Sequence, residues 1–255
     1  MSSLDLARYL AVLERSAEQL VATVERAGLG ARVVTCNTWD TRTLLAHQAM
    51  VHRWAAAHVT GADFPVLPGQ TDLFEHEADL AGYYRQGVTN LLTALAEAPA
   101  DLKAITFLND VTTPLLFWAR RQTHETTIHM VDAVSAELGR QPAAGDAAID
   151  DAVDADIAVD GIDELLCGFF TRGRSKLFDG SAEYDVLVAP HDADRRWLVH
   201  VAEKLTVTPD GTAPITISGS AVEIYLALWN RGEMQVDGDP GLASRWRKAQ
   251  RIRWS

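Results

Sequence analysis

The residues of this chain best suited to chemistry are His47, Glu125 and His129. Glu125 and His129 stand four apart in the run Arg120-Arg121-Gln122-Thr123-His124-Glu125-Thr126-Thr127-Ile128-His129. At about 100° per residue, a helix places both side chains on one face. His47 lies in an earlier helical stretch, on its apolar side. Two imidazoles and one carboxylate form a three-ligand set that leaves one position of a tetrahedral zinc ion free. Such an open position is what metal-assisted chemistry requires.

Each residue also has a plainer reading. His47 alone reads as a hydrogen-bonded core histidine. Glu125 and His129 alone read as an i,i+4 polar pair on an exposed helix face. The two plain readings weaken together, because a Glu-His-Asp stripe (Asp132 continues the face) on a packed bundle helix needs partners. Asp132 reads either as a partner that orients a ligand imidazole or as a structural or solvent-facing acid. His124-Glu125 invites comparison with the H-E-x-x-H helix of metalloproteases, but Ile128 occupies the place of the second histidine. His124 and His129 are five apart, about 140° around a helix, and so do not chelate one ion together. The remaining histidines, His52, His58, His76, His191 and His200, read as surface or structural.

The elements that must position these residues are four amphipathic helices. Leu6, Leu10, Leu13, Ala17, Leu20 and Val24 recur at helical steps and stop at Gly28. A second helix starts near the N-cap candidate Asp40, carries Leu44, His47, Val51 and Trp54 on one face, and ends near Gly61. A third starts near Thr71, carries Leu80, Tyr84, Val88, Leu91 and Leu95, and stops before Pro99. The fourth is capped by Thr113, opens with Pro114, where a missing N–H costs nothing, and runs to about Leu138 before Gly139. Four such helices imply a bundle with room for a site between facing helices.

The segment that follows is rich in Ala, Asp, Pro and Gly and reads as a linker. The expected division is a bundle over 1–140, a linker over 141–152 and a second domain over 153–255. In that second domain, 163–172 reads as a short helix. Strands are expected over 184–189, 197–201, 204–208 and 215–218. Helices are expected over 220–229 and from Pro240 to about Arg251. The fold class is therefore α plus α+β.

Composition bounds the partners. The chain has 255 residues, 47% of them hydrophobic, and a formal net charge of -12. That balance speaks against nucleic-acid backbones and anionic membranes as main partners. Cys36 and Cys167 are the two cysteines. They form no disulfide framework, which suits a reducing cytoplasm. Cys36 reads as a small buried residue before a helix rather than a nucleophile. The first helix lacks the basic start and apolar run of a signal peptide, and no apolar stretch is long enough to span a bilayer. The basic tail from Arg245 to Arg253, with Trp246 and Trp254, reads as a solvated last helix with apolar anchors.

Three stretches resemble the mycothiol-dependent maleylpyruvate isomerase family, within the DinB-like bundle superfamily. The first is Thr35-Cys36-Asn37-Thr38-Trp39-Asp40 through Leu44 and His47, continuing to Val51-His52-Arg53-Trp54-Ala55. It is similar to the family's Cys-Pro-Gly-Trp-Thr-x-x-x-Leu-x-x-His segment, with Asn37-Thr38 in place of Pro-Gly. The second is Trp118-Ala119-Arg120-Arg121 through His124-Glu125-Thr126, then His129 and Val131-Asp132-Ala133. The third runs from Ser218-Gly219-Ser220-Ala221 through Leu226-Ala227-Leu228-Trp229-Asn230-Arg231-Gly232 to Val236-Asp237-Gly238-Asp239-Pro240. Here Asn230 stands where a glycine is common. The stretches span nearly the whole chain, in order.

The resemblance implies an N-terminal DinB-like four-helix bundle followed by a small sterol-carrier-like α+β domain. It implies His47, Glu125 and His129 as ligands of Zn2+ or another divalent metal. Arg231 matches an arginine of the C-terminal domain associated with the active site. Mycothiol, a low-molecular-weight thiol, would be the co-substrate, and a small electrophile the substrate. The expected activity is that of a cytoplasmic isomerase or mycothiol S-transferase, acting as a monomer or homodimer. Two other classes stand beside it. One is a non-catalytic small-molecule binding protein; the other is a metal hydrolase that needs no thiol.

Overall fold

The computed structural model describes residues 4–62 and 78–250. The stretch from Thr71, where the third helix was expected to start, lies outside the described residues, as do His76, Arg251, Arg253 and Trp254. The chain divides into two compact units. One runs to Phe107 and again from Val111 to Pro142; the other comprises Leu108–Asp110 and the chain from Ala143 onward.

The first unit is a bundle of α1 (Leu6–Ala27), α2 (Thr41–Thr60), α3 (Leu80–Glu97) and α4 (Pro114–Leu138). Each start is written in the sequence. Asp5, Asp40, Asp79 and Thr113 accept hydrogen bonds from the backbone N–H groups of Arg8, Thr43, Gly82 and Leu116, which would otherwise go unsatisfied. α2 and α4 end at Gly61 and Gly139, both left-handed at φ 68° and 65°, a conformation glycine adopts without a Cβ clash. α1 packs most extensively on α4 and α2 on α3, while α1–α3 and α2–α4 close the ring. Tyr9, Leu13, Leu20, Leu44, Leu45, Tyr84, Leu91 and Trp118 fill the interior.

α4 departs from simple amphipathicity. From Arg121 to Ser135 every residue is buried, polar or not. A helix wrapped on all sides by protein must satisfy its polar groups internally. Ser16 Oγ meets Thr127 Oγ1 at 3.1 Å, and Thr123 Oγ1 donates to the Tyr9 carbonyl at 3.0 Å.

The second unit holds a five-stranded sheet in the order β3-β2-β1-β4-β5. Its strands are β1 (Tyr184–Pro190), β2 (Trp197–Val201), β3 (Thr206–Pro209), β4 (Ile215–Gly219) and β5 (Gln235–Asp237). β1 and β4 pair in parallel, with Val188 opposite Ile217, and the other pairs are antiparallel. Trp197, Val199 and Val201 alternate inward along β2, as the two-residue period of a strand requires.

Helices α5 (Ala147–Asp150), α6 (Ala155–Asp163), α7 (Ala221–Leu228) and α8 (Leu242–Ala249) complete the unit. The helix expected over 163–172 is instead α6, which runs on into a π-helical turn over Glu164–Phe169. Its aspartates and Gly161 carry no clear helical signal in the sequence. Burial of Ile157, Ala158 and Ile162 and capping by Asp154 override that composition. α5 falls inside the expected linker, and β5, only three residues long, was not foreseen. α7 begins with a capping box between Ser220 and Glu223. After α7, Asn230 sits at φ 61°, the left-handed region where glycine is favoured and asparagine is tolerated. That conformation accounts for asparagine standing at a position where glycine is common.

Candidate metal centre

The bundle brings His47 of α2 against Glu125 and His129 of α4. One potential ligand atom from each residue lies within 4.8 Å of the other two. His47 Nε2 is 3.7 Å, and His129 Nε2 3.3 Å, from the same carboxylate oxygen, Glu125 Oε1. Ligands about 2.0–2.1 Å from a tetrahedral ion stand roughly 3.3 Å apart, so these spacings suit a divalent cation with little movement. The donor set, two imidazole nitrogens and a carboxylate oxygen, fits such an ion chemically as well.

Surrounding groups fix the three. Asp132 Oδ2 lies 3.0 Å from His129 Nδ1, which leaves Nε2 to face Glu125. Asp132 is itself held: Thr35 Oγ1 donates to its Oδ1 at 2.5 Å, and Thr35 and Ser135 hydroxyls meet at 3.0 Å. Arg121 Nη2 donates to Glu125 Oε2 at 3.0 Å. The Trp39 ring lies 4.9 Å from the His47 ring and stacks on that of His129 at 5.8 Å. Beside this group, His52 Nε2 and Gln48 Nε2 meet at 2.9 Å, and Thr126 Oγ1 bonds to both.

Electrostatics follow from burial and contact. Burial pushes the His47 pKa down, with Glu125 opposing it, so its nitrogens stay free of a second proton. Burial works to raise the Glu125 pKa, but His129, His47 and Arg121 hold it well below the ordinary carboxylate range. Burial opposes charge on His129, yet its hydrogen bonds to Asp132 and Glu125 prevail and raise its pKa to about 9. The centre thus holds an ionised carboxylate between two imidazoles of different character.

Asp132 is no solvent-facing acid; it is completely buried and bonded to His129. Arg121, Trp39 and Thr35 were not singled out from sequence. Arg121 carries a readable signal, standing one turn before Glu125 on the same helix, and Trp39 stands at the tryptophan of the quoted motif. Trp39 and Thr35 reach the centre from the segment ahead of α2, which no periodicity reveals. Arg231 lies in the second unit, half-buried in the turn after α7, where its Nη1 donates to the Trp229 carbonyl at 2.9 Å. Cys36 is half-buried, and its carbonyl accepts from Trp39 N–H at 2.9 Å.

A second group, Asp110, Asp163 and Cys167, also gathers potential ligand atoms. Its chemistry is less favourable. Asp163 Oδ1 already accepts from Arg195 at 2.8 Å and Trp197 at 2.9 Å. Burial, with Asp163 and Asp110 nearby, pushes the Cys167 thiol up to about 12, so its thiolate is scarce at neutral pH.

A four-helix bundle with a buried two-histidine, one-carboxylate centre, followed by a small mixed-sheet domain, defines the class. Residues 10–134 match the mycothiol maleylpyruvate isomerase N-terminal domain, and residues 156–245 match the C-terminal domain of the same family. The chain belongs to the mycothiol-dependent maleylpyruvate isomerase family, a family of enzymes. A crystal structure of a mycothiol-dependent maleylpyruvate isomerase is 18% identical, with a TM-score of 0.63 over 98% of each chain. A histidine-to-alanine mutant of that isomerase is 17% identical, with a TM-score of 0.62 and the same coverage. No curated protein sequence matches this chain. Among the described residues, no helix is long and apolar enough to cross a membrane.

Proposed function

We propose that this chain is a cytoplasmic enzyme that uses zinc, or another divalent metal, to activate mycothiol for attack on a small electrophile. The bundle of residues 1–140 holds the metal through His47, Glu125 and His129. The convergence of these three on one point carries the reading. A divalent ion at that point would supply a Lewis-acid position at which a thiol loses its proton. A free thiol is only a few per cent thiolate at neutral pH, so this gain is large.

The chain's own residues do the rest. Asp132 holds His129 in the tautomer that offers Nε2. Trp39 shields the imidazoles on one side. Arg231 of the C-terminal domain (residues 153–255) grips a substrate carboxylate with its planar fork. The reaction is an isomerisation if the thiolate sulfur adds to a cis alkene conjugated with a carbonyl, the carbon–carbon bond rotates, and the sulfur leaves. It is an S-transfer if the sulfur stays.

The test is metal analysis of the purified protein, followed by turnover of maleylpyruvate with and without mycothiol. About one zinc per chain, lost in the His47→Ala, Glu125→Ala double variant, and isomerisation only with thiol are expected. Thiol adducts on another electrophile would assign the transferase branch. Hydrolysis products formed without thiol would make the protein a hydrolase. A metal-free protein that retains a metabolite would make it a binding protein.

A further inference from the structure

The two oxygens of Glu125 are used differently. Oε1 faces both imidazoles, 3.7 Å from His47 Nε2 and 3.3 Å from His129 Nε2. Oε2 is taken by Arg121 Nη2 at 3.0 Å. Arg121 stands one helical turn before Glu125, so the two share a face of α4. Their relative exposures are 1% and 4%, which places this pair in the interior rather than at a screened surface.

We propose that Arg121 is a positioning residue that restricts Glu125 to one-oxygen ligation and so keeps a coordination position open for the incoming thiol. The inference rests on the metal reading given above. A carboxylate facing a divalent cation with both oxygens free readily turns both onto it, and zinc accepts five ligands. That turn would consume the position the sulfur needs. For Glu125 it would also break a charge-assisted hydrogen bond and leave a buried guanidinium short of that partner, which is costly in a low-dielectric interior.

Arg121 acts a second time through its charge. Glu125 and Asp132 are the two acids at the centre, and together they would neutralise a divalent cation. The guanidinium restores one excess positive charge. An anionic sulfur is then preferred to a neutral fourth ligand. A buried arginine that only balanced Glu125 for the sake of folding would have neither effect.

The test uses the full chain with Co2+ in place of zinc, because four- and five-coordinate cobalt differ in visible absorption. The parent protein is expected to give the intense four-coordinate band and to bind mycothiol with a sulfur-to-cobalt charge-transfer band. Arg121→Met, which has neither donor nor charge, is expected to give the weaker five-coordinate spectrum and about tenfold or more weaker mycothiol binding. Arg121→Lys, which keeps a donor and the charge, is expected to restore the four-coordinate band. A folded Arg121→Met protein with the parent's spectrum and thiol affinity overturns the inference and leaves the metal reading intact. A parent protein that takes up no Co2+ overturns both. If Arg121→Met does not fold, the neutral Arg121→Gln decides: a folded glutamine variant with the parent's spectrum and thiol affinity overturns the inference.

Discussion

Asp132 reaches His129 Nδ1 at 3.0 Å from within the same helix, and it does so while completely buried. An i,i+3 pair of this kind can lock an imidazole only if the carboxylate is itself restrained, and Thr35 supplies that restraint from ahead of α2. Replacing Asp132 by Asn keeps the volume but weakens the grip. Metal affinity should fall about 10–100-fold, measured by competition with a chelator. In the metal-free protein the His129 pKa should drop from about 9 toward its ordinary value, followed by imidazole NMR.

Glu125 stabilises the bundle even without metal. It lies between Arg121 and the two imidazoles, with its pKa well below the ordinary range. Glu125→Gln would leave Arg121 buried without its anion. A loss of about 3–5 kcal/mol is expected in urea unfolding of the metal-free protein. An unchanged midpoint would mean that the arginine finds another anion.

His52 makes a pH-dependent contribution. Burial, reinforced by the Arg53 cation, pushes its pKa down to about 3. In the unfolded chain it protonates near pH 6.5. The unfolded state therefore binds the proton first as pH falls, so the stability this residue confers is complete above about 6.5 and is lost progressively toward 3. The full effect is on the order of 5 kcal/mol. His52→Gln should flatten the urea midpoint between pH 6.5 and the onset of general acid unfolding. Parallel curves for the two proteins would contradict this.

Trp39 should report the metal. Its ring is within 6 Å of both ligand imidazoles by centroid distance, at 4.9 and 5.8 Å. Co2+ binding should quench tryptophan fluorescence, and Trp39→Phe should remove the largest single share of that quenching. Trp54 and Trp118 lie seven residues from His47 and Glu125 along their helices, about 10 Å away along the axis. A Trp39→Phe protein that quenches as the parent does would place the ion elsewhere.

The helices were legible because several signals agreed. Asp40 before α2 and Thr113-Pro114 before α4 are local chemistry, and local chemistry survives any tertiary context. The pairing of Glu125 with His129 was legible for the same reason, as a matter of helical pitch. What His47 faces depends on how α2 packs on α4, and spacing along one helix carries no such information. α6 is not legible in the sequence because Asp156, Asp160 and Gly161 are poor interior helix residues, and burial outweighs them. β5 is too short for a two-residue period to declare itself. Trp39 and Thr35 belong to a segment with no periodicity, and only folding shows what they touch.

Because α1 rests chiefly on α4 and α2 chiefly on α3, the bundle is in effect two helix pairs laid together along a thinner seam. His47 stands on one side of that seam and Glu125 on the other. A cation there is a clasp as well as a reagent. Stripping it with a chelator would let the halves part more easily, so resistance to protease and heat should rise and fall with occupancy of the clasp.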